Sequence, residues 1–180
     1  MIKGEKMMEN NPKYIKAARK IFKQYHYILM KIKQLEEGIE TAKKNVETNV
    51  NCDIYSASVS HGSEGSIGTA PNSSADKIPQ IVENIDKIRS QYDEQINIMQ
   101  YQKNILESAV NSINIYVSSL DWEDKTLLSR HYLDNIRKSY DDISSEIHVS
   151  CEGLRKRERK LMKQYVKSVH IDIIDVVNIL

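Results

Sequence analysis

Large aromatic side chains other than tyrosine are nearly absent from this chain. Its 180 residues include one Phe and one Trp, with three prolines and six glycines. Few bulky side chains argue against a thick globular core, and few helix breakers leave long stretches free to form helix. This composition predicts an all-α fold built from long, isoleucine-rich helices.

Metal-binding spacings and long apolar runs are also missing. The two cysteines, Cys52 and Cys151, and the five histidines form no C-x-x-C or H-x-x-x-H pattern, so we expect no zinc site and no cofactor. No apolar run approaches the roughly 20 residues of a membrane span, and the polar N-terminus does not resemble a signal peptide. We therefore expect a cytoplasmic protein with reduced thiols that does not act at a membrane.

Enzymatic residues are not evident either. The acidic residues at 121–124 and 141–142 stand where helices should begin, and capping explains them there. No Ser, His and Asp set has an ordered spacing. We therefore do not expect an enzyme.

Charge is segregated along the chain although the net charge is only +1. Residues 150–170 contain seven basic residues against Glu152 and Glu158, a balance of +5. Residues 120–147 contain four basic and seven acidic residues, a balance of −3. A local basic surface is typical of nucleic-acid binding.

The first two thirds of the chain are predicted to form two heptad helices. Residues 1–12 are expected to be a flexible leader that ends at Pro12, where a helix can begin. Residues 13–119 then form a two-helix coiled-coil region, interrupted at 49–76 by a flexible linker rich in Ser, Gly and Asn. Apolar residues at steps of three and four mark both stripes: Tyr25, Ile28, Ile32, Leu35, Ile39, Ala42 and Val46, then Ile78, Ile81, Ile85, Ile88, Tyr92, Met99, Leu106, Ala109, Ile113, Tyr116 and Leu120.

Two arrangements of these arms are open from the sequence. They can fold back as a long antiparallel hairpin within one chain, or they can pair between chains and form a homo-oligomer. Gln95 and Gln102 interrupt the second stripe. They either fix the register as buried polar residues or mark a local shift of the contact face toward Ile96, Ile98 and Ile105, which we favour.

Residues 139–163 have the pattern of two helices joined by a tight turn. Ser139 with Asp142 three residues later is the signature of a capping box, and Tyr140, Ile143 and Ile147 share one helix face. His148 and Val149 form the turn, and Ser150 can cap the second helix. Leu154, Glu158, Leu161 and Tyr165 share one face of that second helix, and basic residues occupy the other. This order is typical of a helix-turn-helix whose second helix enters the DNA major groove.

Eight residues of the second helix are candidates for DNA contact. Arg155, Lys156 and Arg159 are expected at base edges, and Glu152 could accept a hydrogen bond from cytosine. Ser150 caps the helix beside a phosphate. Neutralisation of the phosphate backbone is assigned to three further residues: Arg157, Lys160 and Lys163.

The residues that precede this pattern add a family resemblance. Asp121 to Leu133, with Trp122, Leu127, Leu128, His131 and Tyr132 as expected core, resembles the helix that introduces sigma-factor region four. The combination is similar to the phage (prophage) transcriptional regulators of the ArpU and RinA type, which pair a long N-terminal region with a C-terminal sigma-like helix-turn-helix. The resemblance implies a small DNA-binding domain at 120–170, followed by an apolar tail at 171–180.

That resemblance implies a sequence-specific regulator of transcription that binds double-stranded DNA. Two alternatives use the same domain. One is an adaptor that binds RNA polymerase or another protein, and the other is a phage DNA-packaging component. The apolar tail should pack on another element of the chain or on a partner subunit.

Overall fold

The first helix among the described residues begins where the sequence predicts a helix start, at Pro12. The computed structural model describes residues 11–59, 77–169 and 173–180. Asn11 caps α1 with its side-chain oxygen, which accepts from the Lys13 amide at 3.0 Å. The first ten residues of the predicted leader lie outside the described residues.

Every regular element in the described ranges is helical, as the composition predicted. A break at Gln24 separates the first two helices, and a short π-helical segment extends the fourth helix. None of these helices is long and apolar enough to cross a membrane. In chain order the elements are α1 (Pro12–Lys23), α2 (Tyr25–Val59), α3 (Lys77–Ser118), α4 (Trp122–Leu128), the π-helical segment Ser129–Leu133, α5 (Tyr140–Ile147), α6 (Cys151–Ser168) and α7 (Ile173–Ile179).

The chain divides into two compact units. The described parts of Met1–Lys33 and Gln102–Leu180 form one, here the terminal unit, and Gln34–Tyr101 form the other, here the central unit. The predicted boundary between residues 119 and 120 does not coincide with this division, because α1 and the end of α3 pack with the C-terminal helices.

The central unit uses the predicted heptad positions of α2 for burial. Leu35, Ile39 and Ala42 are buried there. A Cβ on Gly38 would lie 3.1 Å from Sδ of Met99, so glycine allows a close approach of the two helices at this point. The sequence predicted these three positions, but Val46 at the end of the predicted stripe is only half-buried, and Val50 is buried beyond it.

On α3 the contact face shifts at Gln95 but not at Gln102, which is half-buried. Gln95 is exposed and Ile96 is half-buried, which agrees with the local shift favoured from the sequence. Ile98 is exposed and does not join that face. The predicted linker differs from the structure at its start: α2 continues to Val59, so residues 49–59 are helical, and residues 60–76 lie outside the described residues.

The core of the terminal unit is assembled around Phe22 of α1. Its ring packs edge-on against Tyr132 and Tyr165, with centroids 5.7 and 5.0 Å away. The other large side chains that are fully buried come from six helices: Ile21, Ile28, Leu106, Ile113, Leu127, Leu128, Ile143, Leu154 and Leu161. α1 is therefore part of the same core as the C-terminal helices. The break at Gln24 separates it from α2, which carries the predicted heptad stripe.

Two expectations about the ends of this unit are now decided. Most of the tail forms α7, which packs on α1 of the same chain, with Ile173 and Val176 buried. Trp122, expected in the core, is 65 % exposed, so that prediction was wrong. Trp122 is the first residue of α4, where the Cα–Cβ bond tilts toward the helix N-terminus and away from the core.

Candidate nucleic-acid interface

Helices α5 and α6 are joined by the three-residue turn 148–150, and the predicted caps are confirmed. The side chain of Ser139 accepts from the Asp142 amide, and Asp142 accepts from the Ser139 amide, which completes the capping box. α5 ends at His148, whose φ of 56° and ψ of 34° lie in the left-handed region. The Ser150 hydroxyl then accepts from the Gly153 amide at 3.2 Å and begins α6.

Gly153 lets this turn lie close against the first turn of α6. A Cβ at Gly153 would meet Cγ1 of Val149 at 3.0 Å and Oγ of Ser150 at 3.1 Å. Glycine in a helix costs about 1 kcal/mol relative to alanine. At position 153 any larger residue would have to push Val149 and Ser150 away from the helix.

α6 presents opposite faces to the core and to solvent. Leu154, Leu161 and Tyr165 are fully buried on one side. The other side carries six exposed basic residues: Arg155, Lys156, Arg159, Lys160, Lys163 and Lys167. A helix whose outer face is basic over more than two turns creates a local positive potential.

Two of the predicted base-reading positions have neighbours that order them. The Lys156 ammonium lies 2.7 Å from the Glu152 carboxylate, an exposed pair one turn apart. The Arg155 guanidinium lies over the ring of Tyr140, 5.7 Å from its centroid. Arg155 is therefore guided by α5, the helix that precedes the turn.

Arg157 differs from the other predicted phosphate contacts. Its guanidinium pairs with Glu123, and its Nε lies 3.5 Å from Oδ1 of Asp124. The hydrogen bond to Glu123 raises the pKa of Arg157 above its usual value. Arg157 thus joins α6 to the first turn of α4, whereas Lys160 and Lys163 stay on the exposed face.

A buried carboxylate on α6 was the main feature that sequence reasoning missed. Glu158 is 3 % exposed and accepts two hydrogen bonds from Arg19 of α1, at 2.8 and 2.9 Å. The Tyr132 hydroxyl donates a third at 2.8 Å. The signal in the sequence was an acid at an apolar-face position of α6, but nothing pointed to Arg19 as its partner.

α5 is also fixed to its surroundings. The Tyr140 ring stacks on His131 with centroids 4.4 Å apart, and the Lys138 ammonium lies 2.7 Å from Glu146. The Cys151 thiol donates to Asp141 at 2.9 Å, a contact that raises the pKa of the thiol. The support under Arg155 is therefore ordered on several sides.

Comparison with protein-family models, curated proteins and solved structures finds no match for this chain. The resemblance to the ArpU and RinA regulators accordingly stays a prediction. Among residues 11–59, 77–169 and 173–180, no group of three His, Cys, Asp or Glu side chains could hold a metal ion. The exposed basic face of α6 is the chemical feature on which a function can be argued.

Proposed function

We propose that this protein is a sequence-specific DNA-binding regulator of transcription, in which α5 and α6 act as a helix-turn-helix. The observation that carries the proposal is the outer face of α6, where six exposed basic side chains follow a capped and tightly turned helix start. In this motif the second helix lies in the major groove, and its N-terminal residues reach base edges.

Arg155 is the leading candidate for base reading. It stands one turn into α6, and Tyr140 holds its guanidinium through a cation–π contact. Holding a long side chain in place before binding lowers the entropy lost when it docks. A guanidinium can donate two hydrogen bonds to the acceptors of guanine, so Arg155 would favour that base.

The remaining exposed residues fall into two roles. Lys156 and Arg159 lie beside Arg155 and would contact further bases. The Glu152 carboxylate pairs with Lys156 in the free protein and would accept a hydrogen bond from a cytosine amino group in the complex. Lys160 and Lys163 would neutralise phosphates. Arg157 leaves the phosphate set in this proposal, because its charge is already paired with Glu123 and Asp124.

We further propose that α2 and α3 pair as antiparallel arms. In the terminal unit the Tyr25 hydroxyl donates to Asn114 at 2.9 Å, and in the central unit the Asn49 amide donates to the Tyr92 hydroxyl at 3.3 Å. Residue numbers rise along α2 as they fall along α3, which is the order of an antiparallel pair. These contacts favour pairing within one chain.

The DNA-binding proposal is tested by selecting preferred sites from a random duplex library and titrating variants against them. Arg155→Ala should cost about 1–3 kcal/mol on the preferred site and relax the preference at one base pair. Lys163→Ala should weaken binding to every sequence and lower the slope of log K against log salt by about 0.9.

The same titrations separate this proposal from its alternatives. If the wild-type chain selects no site and its binding does not depend on salt, DNA binding fails, and an adaptor that contacts RNA polymerase takes its place. If Arg155→Ala and Lys163→Ala behave alike, DNA binding survives but the base-reading role of Arg155 does not. Lys87→Ala, which removes a basic residue from the exposed Lys87–Glu83 pair on α3, serves as the matched control.

A further inference from the structure

His131 lies against the residue that holds Arg155, and the proposed function leaves it without a role. Its imidazole ring stacks on the phenol ring of Tyr140, with centroids 4.4 Å apart and ring planes at 29°. The Arg155 guanidinium lies over the same phenol ring, 5.7 Å from its centroid. Side chains from the π-helical segment, α5 and α6 therefore contact one another in series.

A hydrogen bond and a second aromatic ring fix the orientation of His131. Nδ1 of the imidazole lies 3.0 Å from the Lys138 carbonyl oxygen. A carbonyl oxygen only accepts, so Nδ1 carries the proton of this hydrogen bond. The imidazole also meets the buried ring of Tyr132 at 75°, with centroids 4.6 Å apart. The ring that supports Tyr140 is therefore itself held on two further sides.

The backbone that carries His131 departs from an α-helix. The Asp134 amide donates to the Ser129 carbonyl at 2.8 Å, a bond that spans five residues rather than four. Short π-helical turns are rare and often occur at functional sites. The Arg130 side chain pairs with Asp134 at 3.0 Å and with Glu146 of α5 at 3.4 Å. These pairs connect the π-helical segment to α5.

We propose that His131 is a positioning residue for base reading, which acts on Arg155 through Tyr140. This inference rests on the proposed function, because it takes Arg155 as the residue that reads a base. His131 holds the Tyr140 ring in one orientation, and the guanidinium lies over that ring. In this proposal His131 does not touch DNA.

An exposed arginine benefits from such support because its side chain is long. Arg155 is exposed, and without support its guanidinium would be distributed over many rotamers, most of which do not face a base. A cation–π contact at an exposed site favours the supported position by about two- to fivefold. That gain requires an oriented ring, so it should be lost when His131 is removed.

The effect of His131 is expected in sequence preference rather than in general affinity. Lys160 and Lys163 are exposed on α6 and are assigned to phosphates, whose contacts carry no sequence information. Damage to the fold would weaken binding to every duplex alike. Loss of the support under Arg155 should weaken binding to the preferred duplex more than to others.

The first test uses the full chain without DNA. NMR relaxation of the Arg155 Nε–H group measures its order on the picosecond to nanosecond timescale. His131→Ala should lower the order parameter of this group, and His131→Phe, which keeps an aromatic ring beside Tyr140, should restore it. Arg159, on the same exposed face, is the internal control and should not change. An Arg155 order parameter that His131→Ala leaves unchanged would overturn the proposal.

The second test measures affinity for the selected DNA site and for the same site with the base pair read by Arg155 replaced. His131→Ala should reduce the ratio of these affinities by about two- to fivefold and leave the salt dependence unchanged. In an Arg155→Ala background, His131→Ala should not change the ratio further. Tyr116→Phe is the matched control for stability, because it removes a buried hydrogen bond to the Leu161 carbonyl in the same unit.

Two outcomes of the second test are decisive in different ways. Equal losses of affinity on both duplexes would give His131 a purely structural role and would overturn the proposal. A wild type that selects no DNA site would overturn the proposed function, and with it the base-reading part of this inference. The relaxation measurement would still decide whether His131 orders Arg155.

Discussion

Arg19 and Glu158 are 139 residues apart in sequence and form a bidentate ion pair between α1 and α6. Nε and Nη2 of Arg19 each donate to one oxygen of the carboxylate, and the hydrogen bond raises the pKa of Arg19. Tyr132 completes the shell of Glu158. The helix proposed to read DNA is thus bound on its buried side by α1.

Removal of Arg19 should therefore destabilise the terminal unit. Arg19→Ala leaves the Glu158 carboxylate, which is almost fully buried, without its cation. Breaking a buried pair in this way costs about 3–5 kcal/mol, and because the Arg19 side chain is 33 % exposed we expect the lower value of about 2–3 kcal/mol. Chemical denaturation followed by circular dichroism measures the loss.

A triple variant separates the ion pair from simple packing. Arg19→Met, Tyr132→Phe and Glu158→Met together replace the polar cluster by apolar side chains of similar size. We expect this variant to be clearly more stable than Arg19→Ala, because no buried charge is left unpaired. If the triple variant is the less stable of the two, the cost of Arg19→Ala does not come from the buried carboxylate.

Arg157 should affect stability and leave the electrostatics of DNA binding nearly unchanged. Its partners, Glu123 and Asp124, lie on α4, so Arg157→Gln removes a link between α4 and α6. We expect a loss of about 0.5–1 kcal/mol in the free energy of unfolding, because the pair is partly exposed. The salt dependence of DNA binding should match that of the wild type. A slope that falls as it does for Lys163→Ala would return Arg157 to the phosphate contacts.

His148 offers a test of the turn by paired glycine substitutions. His148→Gly relieves a left-handed backbone, and we expect stability to be unchanged or to rise by about 0.5 kcal/mol. Ser145→Gly, three residues earlier in α5, should lower stability by about 0.5–1 kcal/mol, because a helix interior disfavours glycine. Thermal unfolding of both variants measures the difference. Equal losses at the two positions would contradict a left-handed residue at 148.

Alkaline pH should unfold the terminal unit. Burial raises the pKa of Tyr116, Tyr132 and Tyr165 above the usual 10.0, to about 12 for Tyr165. Below pH 10 these tyrosines are protonated in both states, so they add no pH dependence. Above pH 10 the unfolded chain loses its phenolic protons first, and stability falls by about 1.4 kcal/mol per pH unit for each tyrosine.

Denaturation midpoints at pH 9 and about pH 11 check this expectation. Tyr165→Phe should flatten the decline, since one buried phenol is removed. Tyr27→Phe is the control, because Tyr27 is exposed and should leave the slope as it is. Midpoints that do not change between the two pH values would show that the buried tyrosines do not govern alkaline unfolding.

Local features of this fold could be predicted from the sequence, because local chemistry determines them. The caps at Ser139 and Ser150 and the helix start at Pro12 depend on residues within one turn. The buried stripe of α2 follows from heptad spacing. The exposed basic face of α6 could be predicted because its apolar residues recur at helical spacing, which places the basic residues between them on the opposite face.

Long-range packing could not be predicted in the same way. Ile21 lies four residues before Tyr25 and so continues the heptad spacing of α2 toward the N-terminus. Nothing in the sequence at Gln24 indicates that α1 leaves the coiled arms and packs against the C-terminal helices. Phe22 packs on Tyr132 and Tyr165. The chain has many other apolar surfaces, and a single sequence does not show which of them Phe22 contacts. The partner of Glu158 was hidden for the same reason, although an acid on an apolar face signalled that one existed.

The ion pair between α1 and α6 also has a consequence for the timing of synthesis. At about 5–20 residues per second, the ribosome needs roughly 7–28 s to make the residues between Arg19 and Glu158. During that time α1 has emerged but its partner helices have not been made, so Ile21 and Phe22 lack the surface that later covers them. The terminal unit can therefore close only late in translation, and its contacts of high sequence separation should make this closure slow compared with local helix formation.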